Sequence, residues 1–246
     1  MASQIEKLRA YTGHLLDEVI HLREKYALLE PMIFKKEVTG EWSRGHRARG
    51  FQTLRTSLLY SCAQDVAKIA SDSDRRVPSF VNLIGPLAND HLRARLREDF
   101  AIITYQPNEE DRRDPVVLRA LDRIGQRETA ERREQFDDMY VRLQEEWEAL
   151  RTSAALQSFV TIRDKVTAHT ELKFGQEEYR RVDVGSLGLK WEDLQKVIDQ
   201  IQSVTDKLNL LIRASSFVWP MLDEQLAEAA ESFWDRTPTA PAEGRR

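Results

Sequence analysis

Eight residues near the N-terminus, Ile5, Leu8, Thr12, Leu15, Val19, Leu22, Tyr26 and Leu29, recur in a strict alternation of three and four. That spacing puts one side chain per turn on a single narrow stripe of an α-helix. A stripe of that kind is stable in water only when another helix covers it. The chain therefore begins with a long helix, ended by Pro31, that lies along a second helix of the same chain or of a partner. His14 and His21 sit off the stripe one heptad apart. Two turns separate them and no carboxylate cluster completes a ligand set, so they read as solvated surface rather than a metal pair.

The remainder of the chain agrees with a helical architecture. Ten glycines and eight prolines in 246 residues are too few for a turn-rich β protein, and 32% charged with 41% hydrophobic residues suits amphipathic helices around a core. Net charge is −4, so any contact with nucleic acid requires a local basic patch. Cys62 is the single cysteine, which excludes an internal disulfide and a thiolate-rich metal site. No cofactor motif appears: GHRARG lacks the Lys-Ser/Thr ending of a phosphate loop, and no HExxH or paired-carboxylate pattern stands out. The N-terminus has no apolar stretch of a secretory signal, and the apolar runs FVNLIGPLA and AIITY are too short to span a bilayer. A cytoplasmic protein without metal, cofactor or membrane contact is expected.

Along the chain, residues 40–50 read as a loop. A helix then covers 51–70 with Phe51, Leu54, Leu58, Cys62, Val66 and Ile69 inward. SDSDRRVPS, 71–79, is a break, and Ser79 is placed to cap a helix reaching 104, kinked at Gly85 and Pro86. A loop at 106–115 leads through Pro115 into a helical stretch, 116–150. Its polar part, 125–135, is either a solvated helix held by Glu–Arg pairs or a flexible connection. Phe136, Met139, Tyr140, Leu143, Trp147 and Leu150 then restore an apolar face. Another helix spans about 152–172, followed by a loop through Gly175 and 180–188. A strong helix starts at Trp191, carries Leu194, Ile198, Ile201, Leu208 and Leu211 on one face, and is broken by Pro220. A shorter helix over 221–234 and a disordered tail, 236–246, complete the chain. No strand is expected. The reading is one all-α domain, 1–235, a bundle of six to seven helices built on the long N-terminal one.

One stretch departs from simple packing. In FVTIRDKVTAHTEL, 159–172, Leu156, Phe159, Val160, Ile162 and Val166 share an arc at 100° per residue. Arg163 falls inside that arc and His169 at its edge. The two lie about 120° apart around the axis and about 9 Å apart along it. Within one straight helix their functional groups do not converge. Either Arg163 pairs with an acidic residue of a neighbouring helix, with His169 a satisfied group near a helix end, or the two belong to a polar site. Such a site needs the helix to end or bend, or a second copy around a two-fold axis.

RDKVTAH, 163–169, resembles the signature of HEPN domains, in which an arginine and a polar residue precede a histidine. It is most similar to the abortive-infection U-type branch. VPSFVNLIG, 77–85, and VDVGSLGLKWEDLQKVID, 182–199, are compatible with that branch. The resemblance implies an all-α fold and metal-independent RNA cleavage in a site shared across a homodimer, in an antiphage or toxin–antitoxin setting that sometimes includes an antitoxin partner. Arg163 would hold the phosphate, His169 would move a proton, and Asp164 would orient a side chain or carry a structural hydrogen bond. Weaker candidates for the RNA backbone are Arg44, Arg47 and Arg49, and the run Arg93, Arg95 and Arg97. The alternative is a HEPN-type module that binds RNA or protein without catalysis, with the seam of residues 5–29 mediating oligomerisation.

Overall fold

In the computed structural model the described residues are 3–102, 115–168, 172–175, 178–181 and 187–235; for 167–168 and the two segments near 175 this means the backbone only. The N-terminal stripe forms helix α1 (Gln4–Leu29), and all eight of its residues are buried. Thr12, one of two hydroxyl-bearing side chains in the row beside Tyr26, donates to Leu8 O at 2.8 Å, so its own burial leaves no orphaned donor. The chain itself covers this seam. It is consequently not an oligomerisation surface, and that part of the alternative reading is corrected.

Pro31 ends α1 and opens a short helix, α2 (Pro31–Phe34), where its missing N–H costs nothing. Helix α3 (Lys36–Trp42) and α4 (Ala48–Ser71) take up both ends of the stretch expected to be a loop. Only five residues, 43–47, turn between them. Gly45 makes this turn with φ of 62°, a left-handed value that an L side chain rarely adopts. Phe51, Cys62, Val66 and Ile69 are buried as expected, whereas Leu54 is exposed.

Ser79 caps α5 (Phe80–Ile84), accepting the Asn82 N–H. The single kinked helix expected as far as 104 is in fact two. Pro86 cannot donate to the carbonyl four residues back and its ring crowds that carbonyl. The chain winds into a tighter 3₁₀ turn over Gly85–Ala88, and Asn89 starts α6 (Asp90–Ala101) by accepting the Leu92 N–H at 3.0 Å. The loop expected at 106–115 lies mostly outside the described residues. Pro115 stands in the first turn of α7 (Pro115–Arg151), which is continuous, so the polar stretch 125–135 is helix rather than connection. Phe136, Leu143 and Leu150 are its buried residues.

Helix α8 (Ala154–Ile162) and a π-helical turn (Arg163–Ala168) precede a feature the sequence did not announce. Strands β1 (Leu172–Gly175) and β2 (Glu178–Arg181) pair antiparallel, with Leu172 opposite Arg181 and Gly175 opposite Glu178. Arg180 and Arg181, read as loop, are in β2. Helix α9 (Trp191–Arg213) begins where expected and buries Leu194, Ile198, Ile201, Leu208 and Leu211. It ends at Ala214, at a left-handed φ of 50°, and not at Pro220. Pro220 sits instead in the first turn of α10 (Trp219–Trp234). The expected tail, 236–246, lies outside the described residues.

Two compact units emerge from the packing, Met1–Ile20 with Ala63–Phe217 and His21–Cys62 with Val218–Arg246. In the first, α7 packs on α6 and α9, and α8 packs on α7 and α9. The end of α9 is closed by side chains. Arg9 donates to Ile212 O at 3.2 Å, and buried Asn209 donates to Ser215 O at 2.9 Å while accepting from Arg213. In the second unit Trp234 stands edge-on to Trp42 and Phe51, donates its indole N–H to Leu28 O at 3.2 Å, and joins Met32 and Val38 in a small core. Arg23 reaches Asp223 at 2.6 Å. The class is all-α, with one short hairpin. Seven of the described helices have nine residues or more, matching the expected six to seven.

Leu15 is fully buried in the seam. Leu15→Ala should lower unfolding free energy by about 2–5 kcal/mol in a urea titration, with sedimentation showing the same association state as the parent.

Candidate functional site

The motif helix is set up locally. Ser153 accepts the Leu156 N–H at 3.2 Å, which fixes where α8 begins. Leu156, Phe159 and Ile162 are buried, so the helix is anchored on one face as far as Ile162. There the winding loosens into the π turn. A π turn bonds each carbonyl five residues ahead, and mostly occurs as a single bulge that re-aims side chains, frequently at functional sites. The straight-helix geometry assumed for Arg163 and His169 therefore stops at Ile162.

Arg163 is the first residue of that turn. Its side chain is 27% exposed, neither sealed in the core nor free in solvent. Nε donates to Asp164 Oδ1 at 2.7 Å, and Nη1 makes a long contact of 3.5 Å to Ala67 O on α4. Asp164 is 51% exposed. A pair this open to water contributes at most about 1 kcal/mol to stability. Its larger effect is geometric, since one carboxylate contact and one carbonyl contact restrict the plane of the guanidinium. His169, directly after the turn, lies outside the described residues. Ala67 could not have been found from sequence, because a backbone carbonyl leaves no residue-type signal.

The weaker arginine candidates divide by what they already hold. Arg97 grips Asp137 of α7, with Nε at 3.0 and 2.9 Å from its two oxygens and Nη2 at 2.8 Å. That hydrogen bond raises its pKa above the ordinary guanidinium value. Arg93 donates to Asp90 Oδ1 and to Leu87 O and lies over the Tyr140 ring at 4.8 Å. Both are engaged within the α6–α7 pair, as is Arg133, which reaches Glu98 at 2.5 Å. Arg44, Arg47 and Arg49 are exposed, Arg47 lying 5.7 Å from the Trp42 ring centre. Of the residues singled out in the sequence, the described hydrogen bonds join Arg163 with Asp164, while Arg93 and Arg97 are held elsewhere. Among the described residues no group of three His, Cys, Asp or Glu side chains is placed to hold a metal ion, and no helix is long and apolar enough to cross a membrane.

The chain is helical, and its Arg-Asp pair stands at the start of a loosened turn with a histidine following in the sequence. The family model described as AbiU2, a HEPN family, matches residues 5–233, and the chain belongs to that family. It is an abortive-infection-related HEPN domain. No curated protein and no solved structure matches the chain.

The bracing of α6 on α7 has a pH signature. Glu98 is held below its ordinary value of 4.5, first by the hydrogen bond from Arg133. A depressed carboxylate contributes stability above its unfolded pKa and loses it as pH falls through the folded one. The stability difference between wild type and Glu98→Gln should thus be largest near neutral pH and shrink below about pH 4.5 in parallel urea titrations.

Proposed function

We propose that this AbiU2 chain is a metal-independent endoribonuclease whose site combines Arg163 with His169. The Arg163–Asp164 pair, at the start of the π turn that leads to His169, supports this reading most directly. Arginine presents a planar fork of donors that fits two oxygens of a phosphodiester and gains strength as charge builds on them. An imidazole titrates close to neutral pH and can accept a proton in one step and return it in another.

In the reaction the ribose 2′-oxygen attacks the adjacent phosphorus, the 2′-proton passes to a base, the P–O5′ bond breaks and the leaving 5′-oxygen takes up a proton. The products are a 2′,3′-cyclic phosphate and a free 5′-hydroxyl. His169 supplies one of the two proton transfers, Arg163 stabilises the phosphorane-like charge, and Asp164 steers the guanidinium. The proposed site is shared by two copies of the chain, Arg163 of one acting with His169 of the other, as the resemblance to HEPN domains implies. The seam of α1 is covered within each copy, so the two copies meet elsewhere.

Purified protein should cut tRNA or total RNA in EDTA. His169→Ala should lower the rate by about 10²–10⁴-fold, as expected for loss of a general acid–base, and should relieve growth arrest on induction. Absence of cleavage across a broad RNA set would favour a binding module instead.

Sharing across a two-fold axis has its own test. Neither Arg163→Ala nor His169→Ala should be active alone. A mixture of the two should regain about a quarter of wild-type activity, since random exchange makes half the dimers mixed and each mixed dimer keeps one complete site. No recovery after confirmed subunit exchange would place both residues in one chain.

A further inference from the structure

Several cations of the unit formed by Met1–Ile20 and Ala63–Phe217 are held by carboxylates. Arg9 pairs with Asp99, Lys68 with Glu18, Arg76 with Asp74, Arg93 with Asp90 and Arg97 with Asp137. Lys7 and Arg75 are different. Among the described residues neither side chain makes an ion pair, and both line the same cleft of about 260 Å³, together with Tyr11, Val81 and Pro86. That volume is just below the usual range of ligand clefts, about 300–1,000 Å³, so only part of a bound strand would enter it.

The cleft is held in shape from both sides. Lys7 Nζ and the Tyr11 hydroxyl each donate to the backbone carbonyl of Arg75 at 3.3 Å, tying the 72–79 loop to α1. On the loop's other flank Asn82 Nδ2 donates to Asp74 O at 2.8 Å and to Val77 O at 3.0 Å. Lys7 also lies 4.8 Å from the Tyr11 ring centre. The Arg75 backbone is thereby pinned while its exposed guanidinium is left to a ligand. An ammonium keeps two further donors after bonding one carbonyl.

We propose that this cleft binds single-stranded RNA away from the Arg163 motif. One phosphate lies between Lys7 and Arg75, and the neighbouring base rests on Val81, Pro86 and the Tyr11 ring. Two cations beside an aromatic and apolar floor match the backbone-plus-stacking pattern by which single strands are held without sequence readout. The choice of RNA over other phosphate-bearing ligands rests on the ribonuclease reading above.

The test is fluorescence anisotropy of a short labelled single-stranded oligoribonucleotide, with His169→Ala as the parent so that the probe stays intact. Arg75→Glu or Lys7→Glu should weaken binding tenfold or more and reduce the slope of log affinity against log salt by about one. Tyr11→Ala should weaken it several-fold. Circular dichroism checks that each variant folds, and the exposed Arg75 side chain makes Arg75→Glu the least disruptive. Variants that bind as tightly as the parent, a parent that binds no RNA, or displacement by a phosphopeptide but not by unlabelled RNA would each overturn the proposal. Cleavage by wild type with unchanged binding in the cleft variants removes the cleft and leaves the nuclease. Cleft-dependent binding without any cleavage does the reverse.

Discussion

A stripe of one apolar residue per turn has to be covered, and α1 covers its stripe within the chain. All eight positions from Ile5 to Leu29 are buried, and the Thr12 hydroxyl among them is satisfied on Leu8 O. Burial of a single leucine or valine side chain is worth about 1.5–3 kcal/mol, so a row of eight outweighs any surface ion pair in this molecule. A surface already used internally cannot also join two copies. Any two-fold contact therefore has to be found on another face, which gives the motif region its place in the functional reading.

Around that core the charges are sorted by cost. The α6–α7 contact is dressed with Arg97–Asp137 and Glu98–Arg133, exposed pairs that add little energy but restrict how the two helices slide. Arg163 is treated differently. It takes a neighbouring carboxylate and a distant carbonyl on a turn that has left α geometry, where a guanidinium is oriented without being neutralised in a sealed core. Lys7 and Arg75 contrast with both groups, since their backbone or stem is fixed while their charge faces a cleft.

Much of this architecture was legible in the residues. The stripe of α1, the Ser79 cap, the starts of α7 at Pro115 and α9 at Trp191, and the burial of Cys62 each follow from a local rule of spacing or capping. Other features escaped for identifiable reasons. The 40–50 stretch was read as loop from its three glycines, but Arg and Ala favour helix and only Gly45 needs a left-handed φ. The hairpin at 172–181 is too short for an alternation to register. Pro220 was taken as a terminator, yet the same missing N–H suits a helix start equally well, and only the preceding turn at Ala214 decides between them. At the site, the Arg163 and Asp164 residue types were visible, whereas their mutual hydrogen bond was not.

The sequence by itself determined that this chain is helical and that α1 must be covered, and it displayed the resemblance of RDKVTAH to a HEPN signature, because periodicity and residue type are properties of the string. Only the tertiary structure decided that the seam is covered from within, that the motif winds as a π turn, and which arginines are spent and which remain open. Those outcomes depend on which carboxylates and carbonyls arrive from elsewhere in the chain, as Ala67 O does beneath Arg163 and Asp137 beside Arg97. A pairing between residues some 40 to 96 positions apart is a fact of packing, and no local pattern encodes it.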